Sequence, residues 1–274
     1  MAKDRGAKDR GTARGTADPA RSLALLWRTR EPSAREGRTE LSVARIATAA
    51  IEIADTEGIA ALTMRRVSEV LGVGTMSPYT YVPGKSELID LMIDTVYGEL
   101  PAEAPDEGDW RVRLERVAMD NWDLYRAHPW LAAVESSRPV LGPNLLAKYE
   151  RELGALVDSG LGDVDLDSVL TLVLGHVRAS ARAAADIAAL ESETGMTDQQ
   201  WWQAHSPWLA NFATAGATPN ADRVGAAAGE AHGAAYDPEH ALRFGLRRLL
   251  DGISVMVEQQ RAGVLSDERA VSGG

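Results

Sequence analysis

The sequence predicts an all-α protein in two parts, a small three-helix N-terminal unit followed by a larger helical domain. Three observations predict it. Apolar residues recur at helical spacing from residue 41 almost to the end. No stretch alternates apolar and polar residues in the manner of a half-buried strand. A single acidic segment bearing Pro and Gly, residues 101–108, interrupts the pattern. The expected organisation is an arm over residues 1–38, a first domain over 39–100 and a second over 101–274.

The arm opens on a tandem repeat, AKDRG at residues 2–6 and again at 7–11, and continues in small, polar and charged residues with little to bury. It reads as disordered and basic. From residue 41 the pattern changes: Val43, Ile46, Ala47, Ala50, Ile51 and Ala54 form one helical stripe, with Ser42 as N-cap and Gly58 as stop. A second, short helix begins at Thr63 as N-cap, buries Val67, Val70 and Leu71, and ends at Gly72. The turn Gly72-Val73-Gly74 then leaves residues 75–82 for a short third helix before Pro83-Gly84, with Pro78 placed in its first turn. A fourth helix follows from Ser86, carrying Leu88, Leu91, Met92 and Val96 on one side.

In the second domain, helical patterns cover residues 110–128, 144–159, 167–191 and 201–212, with a turn near Pro129. Residues 214–236, rich in Gly and Ala, read as a mobile loop. Asp237-Pro238 supplies an N-cap with proline at the first helical position. The last helix then repeats Leu242, Leu246, Leu249, Leu250, Ile253, Met256 and Val257 along one packing stripe.

Bulk properties narrow the function. The 274 residues, 45% of them apolar, suffice for a sizeable core, and the absence of cysteine removes disulfides, thiolate metal sites and cysteine nucleophiles together. No apolar run approaches the roughly 20 residues of a membrane span, so a soluble, unsecreted, cytoplasmic protein is expected. The net charge of −11 opposes DNA binding only until it is divided along the chain. Residues 1–40 carry ten Lys/Arg against six Asp/Glu, residues 41–100 four against eight, and the remainder fifteen against twenty-six. The acid excess is mostly C-terminal, which leaves room for a local DNA contact.

Three short helices, the latter two joined by a glycine-containing turn, form the pattern of a helix-turn-helix whose second member enters the major groove. The residues sharpen it. Leu62-Thr63-Met64-Arg65-Arg66-Val67, Leu71-Gly72-Val73-Gly74 and Tyr79-Thr80-Tyr81-Val82-Pro83-Gly84-Lys85-Ser86-Glu87-Leu88 closely resemble the DNA-binding domain of TetR-family repressors, a match covering residues 41–99. That resemblance implies roles for named positions. Thr75, Met76, Ser77 and Thr80 would face base edges, the methionine against a thymine methyl. Tyr79, Tyr81 and Lys85 would position the reading helix on the backbone, and Thr63 and Arg65 would meet phosphate at the start of the second helix. Two residues depart from the family pattern: Pro78 replaces the usual leucine, which would loosen docking of the third helix, and Thr80 stands where a larger or basic residue is frequent. In the arm, Arg28, Arg30, Arg35 and Arg38 are candidates for added phosphate contact.

Downstream, Trp110-Arg111-Val112-Arg113-Leu114-Glu115 and His128-Pro129-Trp130-Leu131 look like the Tet-repressor-like C-terminal half of the same family. The resemblance implies a small-molecule pocket and a homodimer formed by the last two long helices, here residues 167–189 and 238–260. Trp122, Trp130, Trp201, Trp202 and Trp208, with His176 as a polar group in an apolar run, are the candidate lining of a pocket for a largely apolar effector. The reading is a repressor released from a palindromic operator by that effector. Its alternatives are an architectural or activator protein without effector, and an enzyme. The enzyme finds little support, since His128, His176, His205 and His240 fall in no catalytic or ligand spacing. No catalytic residue, metal or cofactor is expected.

Overall fold

The computed structural model describes residues 19–29, 41–134, 139–212 and 217–272. Among the described residues there are eleven α-helices, one 3-10 turn and no strand. The chain divides into two compact units, the first reaching Gly98 and taking in Ser136–Ala147, the second made of Glu99–Glu135 and Lys148–Gly274.

The first unit contains α1 (Pro19–Leu26), α2 (Val43–Glu57), α3 (Met64–Leu71), the 3-10 turn Pro78–Thr80, α4 (Lys85–Tyr97) and the first residues of α7 (Pro143–Gly154). Its core is the stripe expected of α2, with Val43, Ile46, Ala47, Ala50, Ile51 and Ala54 buried, closed by Leu62, Val67, Val82, Leu88, Leu91, Met92 and Val96. Fully burying one such aliphatic side chain stabilises by about 1.5–3 kcal/mol. The caps are as expected: the Ser42 hydroxyl accepts the Arg45 N–H, the Gly58 N–H bonds the Ala54 carbonyl, and Gly72 closes α3 in the left-handed region at φ 65°.

Four expectations change here. The arm is not wholly without structure, because residues 19–26 form α1, which packs on α4 with Leu26 buried, while the Trp27 indole N–H donates to the Leu141 carbonyl at 3.1 Å. The remainder of the arm, including Arg30, Arg35 and Arg38, lies outside the described residues. Val70 is exposed rather than buried, since the buried side of α3 is carried by Met64, Val67 and Ser68. The third helix is a single 3-10 turn: the Ser77 N–H takes the Gly74 carbonyl and Pro78, having no N–H, cannot extend an α-ladder from it. Finally, Pro78 is itself buried, so the proline keeps the core contact that its replacement of leucine was expected to lose.

The second unit contains α5 (Trp110–Ala127), α6 (Pro129–Ala133), the rest of α7, α8 (Asp163–Thr194), α9 (Asp198–Phe212), α10 (Pro219–His232) and α11 (Pro238–Ser272). Its core joins Trp110, Leu114, Val117 and Trp122 of α5 to Val169, Leu170, Val173 and Val177 of α8 and Leu242, Leu246, Leu250, Ile253 and Val257 of α11. Asp109 and Asp237 cap α5 and α11 through their carboxylates. The turn at Pro129 winds into the short α6. Residues 219–232, expected as a mobile loop, form α10 instead. Pro219 starts it at a position where a missing N–H costs nothing, its alanines favour helix, and Gly233 ends it at φ 66°.

Candidate nucleic-acid interface and effector domain

The reading head is assembled from two helix N-termini and the turn between them. Thr63 stands in extended backbone before α3; its hydroxyl accepts the Arg66 N–H at 3.0 Å and its carbonyl the Val67 N–H at 3.0 Å. The N–H groups of Met64 and Arg65 have no acceptor within the helix and point out of the first turn, a ready anion site. At α4 the cap is Gly84, which offers no side chain to the first-turn donors, so the N-terminus beginning with Lys85 is likewise open.

Between them residues 75–81 form the reading turn. Ser77, Thr80, Tyr81 and Val82 are tied by i to i+3 or i+4 backbone bonds of 2.8–3.2 Å to Gly74, Ser77 and Pro78. The Ser68 hydroxyl reaches the Met64 carbonyl at 2.9 Å and the Thr75 carbonyl at 3.4 Å, pinning the turn to α3. Met76 is 73% exposed, an apolar side chain held in solvent with no packing role. Thr63, Arg65, Thr75, Tyr79, Thr80 and Lys85 are exposed as well, and Ser77 and Tyr81 half-buried. All nine predicted DNA contacts thus belong to one unit, on α3, the reading turn and the start of α4.

The two arginines of α3 differ. Among the described residues Arg65 pairs with the exposed Glu69, at 2.9 Å along its own helix. Arg66 grips Glu57 at the end of α2 with Nη2 to Oε1 at 2.7 Å and Nε to both oxygens at 3.1 and 3.2 Å. This bidentate bond holds the Glu57 carboxyl below the usual range and raises the guanidinium. Arg66 therefore joins α2 to α3, and Arg65 is the arginine presented outward.

The predicted pocket residues of the second unit are scattered. Trp122 is buried in the core cluster. Trp130 is buried beside His128, their ring centroids 6.2 Å apart. The His176 Nε2–H donates to the Leu242 carbonyl at 3.0 Å where α8 crosses α11, and Gly245 makes room for the ring, since a Cβ there would overlap it. Trp201 stacks on His205 at 4.4 Å, Trp202 lies against Gly229 of α10, and Trp208 is 62% exposed. His240 pairs with His232 at 4.5 Å.

Two features escaped the sequence reading. A groove of about 400 Å³ runs along α8 and α11, lined by Asp165, Leu172, Arg248, Leu249, Gly252 and Met256 among others. Between α5 and α7 lies a buried polar set: Lys148 Nζ donates to Glu152 Oε2 at 2.7 Å, Asn121 Nδ2 to Glu152 Oε1 at 2.6 Å, and Arg151 pairs with Asp120 and bonds the Glu103 carbonyl at 3.0 Å. Burial pushes the Lys148 ammonium down against the pull of Glu152. In sequence, Lys148 and Glu152 look like any exposed pair spaced i, i+4. Among the described residues, no three His, Asp or Glu converge as a metal site and no helix is long and apolar enough to cross a membrane.

The comparisons agree with this geometry. Residues 100–257 match the family model of the tetracyclin repressor-like C-terminal domain. The HTH-type transcriptional repressor DrrR1 of Streptomyces coeruleorubidus is 41% identical over 249 residues, 90% of this chain and 90% of the relative. An HTH-type transcriptional regulator of Saccharopolyspora erythraea is 33% identical over 158 residues, 54% of this chain and 64% of that one. Among solved structures, apo ActR from Streptomyces coelicolor aligns with a TM-score of 0.65 at 26% identity, across 81% of this chain and 99% of that one. ActR in complex with actinorhodin aligns with a TM-score of 0.65 at 27% identity, across 78% and 96%. With a helix-turn-helix unit ahead of a tetracyclin repressor-like helical domain, the chain belongs to the TetR family of transcriptional regulators.

Proposed function

We propose that the protein is a homodimeric repressor that binds a palindromic operator and leaves it when a small, largely apolar effector enters the C-terminal unit. The observation that carries this reading is the similar structure of ActR, which aligns over 81% of this chain and is known both empty and with actinorhodin. On DNA, Thr75, Met76, Ser77 and Thr80 read base edges, while Thr63, Arg65, Tyr79, Tyr81 and Lys85 hold phosphate and sugar. Such work places the protein in the cytoplasm, on the nucleoid when bound.

The groove along α8 and α11 is the surface for the second copy. Leu172 and Val255 expose apolar area on these two long helices, and nothing lies within 4 Å of a Cβ at Gly175 or Gly252, which favours close helix approach. Two half-sites read by such a dimer lie about one helical turn, roughly 34–36 Å, or a multiple of it apart. An effector need only favour a conformation whose reading heads miss that spacing.

Selection of bound genomic fragments by the purified protein, followed by release assays with actinorhodin and a panel of other largely apolar small molecules, tests the reading. A shared palindrome and release by one compound are expected. By linkage, the operator must weaken binding of that compound by the same factor that the compound weakens the operator. Binding to fragments without a common palindrome, or a bound compound indifferent to the operator, would overturn it. The alternative without effector predicts that no compound releases the operator.

A further inference from the structure

In the buried polar set of the second unit both oxygens of Glu152 are taken, one by Lys148 and the other by Asn121. Arg151 is not so well served. Its side chain is 3% exposed, Nε donates to the Glu103 carbonyl at 3.0 Å and Nη2 to Asp120. Nη1 is left buried with no acceptor among the described residues. Asp120 is already divided: its other oxygen accepts Arg116 Nε at 2.8 Å, so one carboxylate is shared by two guanidiniums. Lys148, one turn earlier on the same face of α7, lies close enough for the Arg151 charge to help push its ammonium down.

A buried N–H without an acceptor carries its full desolvation penalty, and folded interiors pair nearly all such groups. The acceptor that suits Arg151 is an ionised oxygen, because the guanidinium is always charged, Asp120 compensates it only in part, and a charge-assisted bond gains strength away from water. The cover over this place is a short stretch of irregular chain. Residues 101–109 form no helix, and they lie along α7 where the Glu103 carbonyl takes Arg151 Nε and where a Cβ on Gly154 would come within 2.9 Å of the Ala104 methyl. Displacing Glu103 and Ala104 moves no helix of the core and uncovers the guanidinium.

We propose that Arg151 anchors an acidic ligand, an otherwise apolar molecule whose carboxylate or ionised phenol accepts from Nη1 beneath the 103–104 cover. The identification of that ligand as the effector rests on the reading above, whereas the binding itself does not depend on DNA.

The test is calorimetric titration of the full chain with benzoate, 2-naphthoate and anthracene-2-carboxylate, each against its neutral primary amide, which keeps shape and loses charge. At least one acid is expected to bind about tenfold or more tightly than its amide, and Arg151→Met should bring that acid down to the level of the amide. Asp120→Asn, which withdraws the competing charge from Arg151 and keeps an acceptor oxygen, should tighten the acid about tenfold and leave the amide unchanged. Amides bound as well as acids, a preference that survives Arg151→Met, or no acid bound at all would overturn the proposal. If Arg151→Met fails to fold, Asp120→Asn decides, since an unaltered preference there would overturn it equally. Acid binding that leaves operator affinity untouched would count against the effector reading and leave the site standing. Operator release by neutral compounds, undiminished in Arg151→Met, would overturn the site and leave the effector reading intact.

Discussion

Arg66 of α3 and Glu57 of α2 form a bidentate pair, Nη2 to Oε1 at 2.7 Å, that joins the first two helices of the reading head. Arg65, one residue earlier, faces outward. Arg65→Ala is therefore expected to weaken DNA binding and lower the slope of log affinity against log salt by about one unit per half-site. Arg66→Ala should leave that slope unchanged while loosening the α2–α3 junction. Fluorescence anisotropy titrations across salt concentrations separate the two, and equal slopes for both variants would contradict the assignment.

The same pair has a pH signature. Glu57 sits below its ordinary pKa in the folded state, so its contribution is present above the unfolded value and is lost as pH falls through the folded one. Asp94 has the opposite sign. Its folded pKa lies above the unfolded value, so the wild type loses stability as pH rises through the window between the two. The Leu145 N–H donates to Asp94 Oδ1 at 3.0 Å, and Asp94→Asn keeps that acceptor and removes the charge. It is expected to raise Tm at neutral pH, with the gain vanishing as pH falls below the ordinary aspartate range. A variant less stable than wild type at pH 7 would show that the charge itself is required.

Leu172→Glu tests the groove along α8 and α11. An unpaired carboxylate buried between two copies costs on the order of 3 kcal/mol, about a hundredfold in dimer affinity. Sedimentation should show monomer at concentrations where the wild type is a dimer. Unchanged sedimentation would move the interface elsewhere.

Gly245→Ala drives a methyl group into the His176 ring at the α8–α11 crossing. Overpacking of this kind costs about 1–3 kcal/mol, against a helix-propensity gain of about 1 kcal/mol for alanine over glycine. A net loss is expected by chemical denaturation. The double change His176→Ala with Gly245→Ala should recover part of it, because the two share one space.

Much of the fold was legible because its signals are local. Ser42, Gly58, Thr63 and Gly72 mark helix ends by chemistry that acts within a turn, and the α2 and α11 stripes are single-period patterns. The misreadings share the opposite cause. Residues 219–232 lack an apolar stripe, so α10 rests on capping and on the packing of Gly229 against Trp202, which no window of sequence contains. Residues 19–26 acquire their helix by packing on α4. The candidate DNA contacts were legible as a motif. The candidate pocket lining was named by residue type alone, and the structure distributes Trp122, Trp130, His176, Trp201, Trp202 and Trp208 between buried positions, the α8–α11 crossing and α9.

The reading turn has a consequence for how such a regulator diversifies. It is bounded by a left-handed glycine at Gly72 and by Pro83-Gly84, and is anchored inward by the buried Pro78 and Val82. The side chains of Met76 and Thr80, by contrast, are exposed. Changes at these two positions fall within the range of about 0.5 kcal/mol typical of surface substitutions. With Met76 and Thr80 on base edges as proposed, a duplicated copy of the gene can drift to a new operator without passing through an unfolded ancestor, since the residues proposed to select sequence and those that hold the turn are different residues.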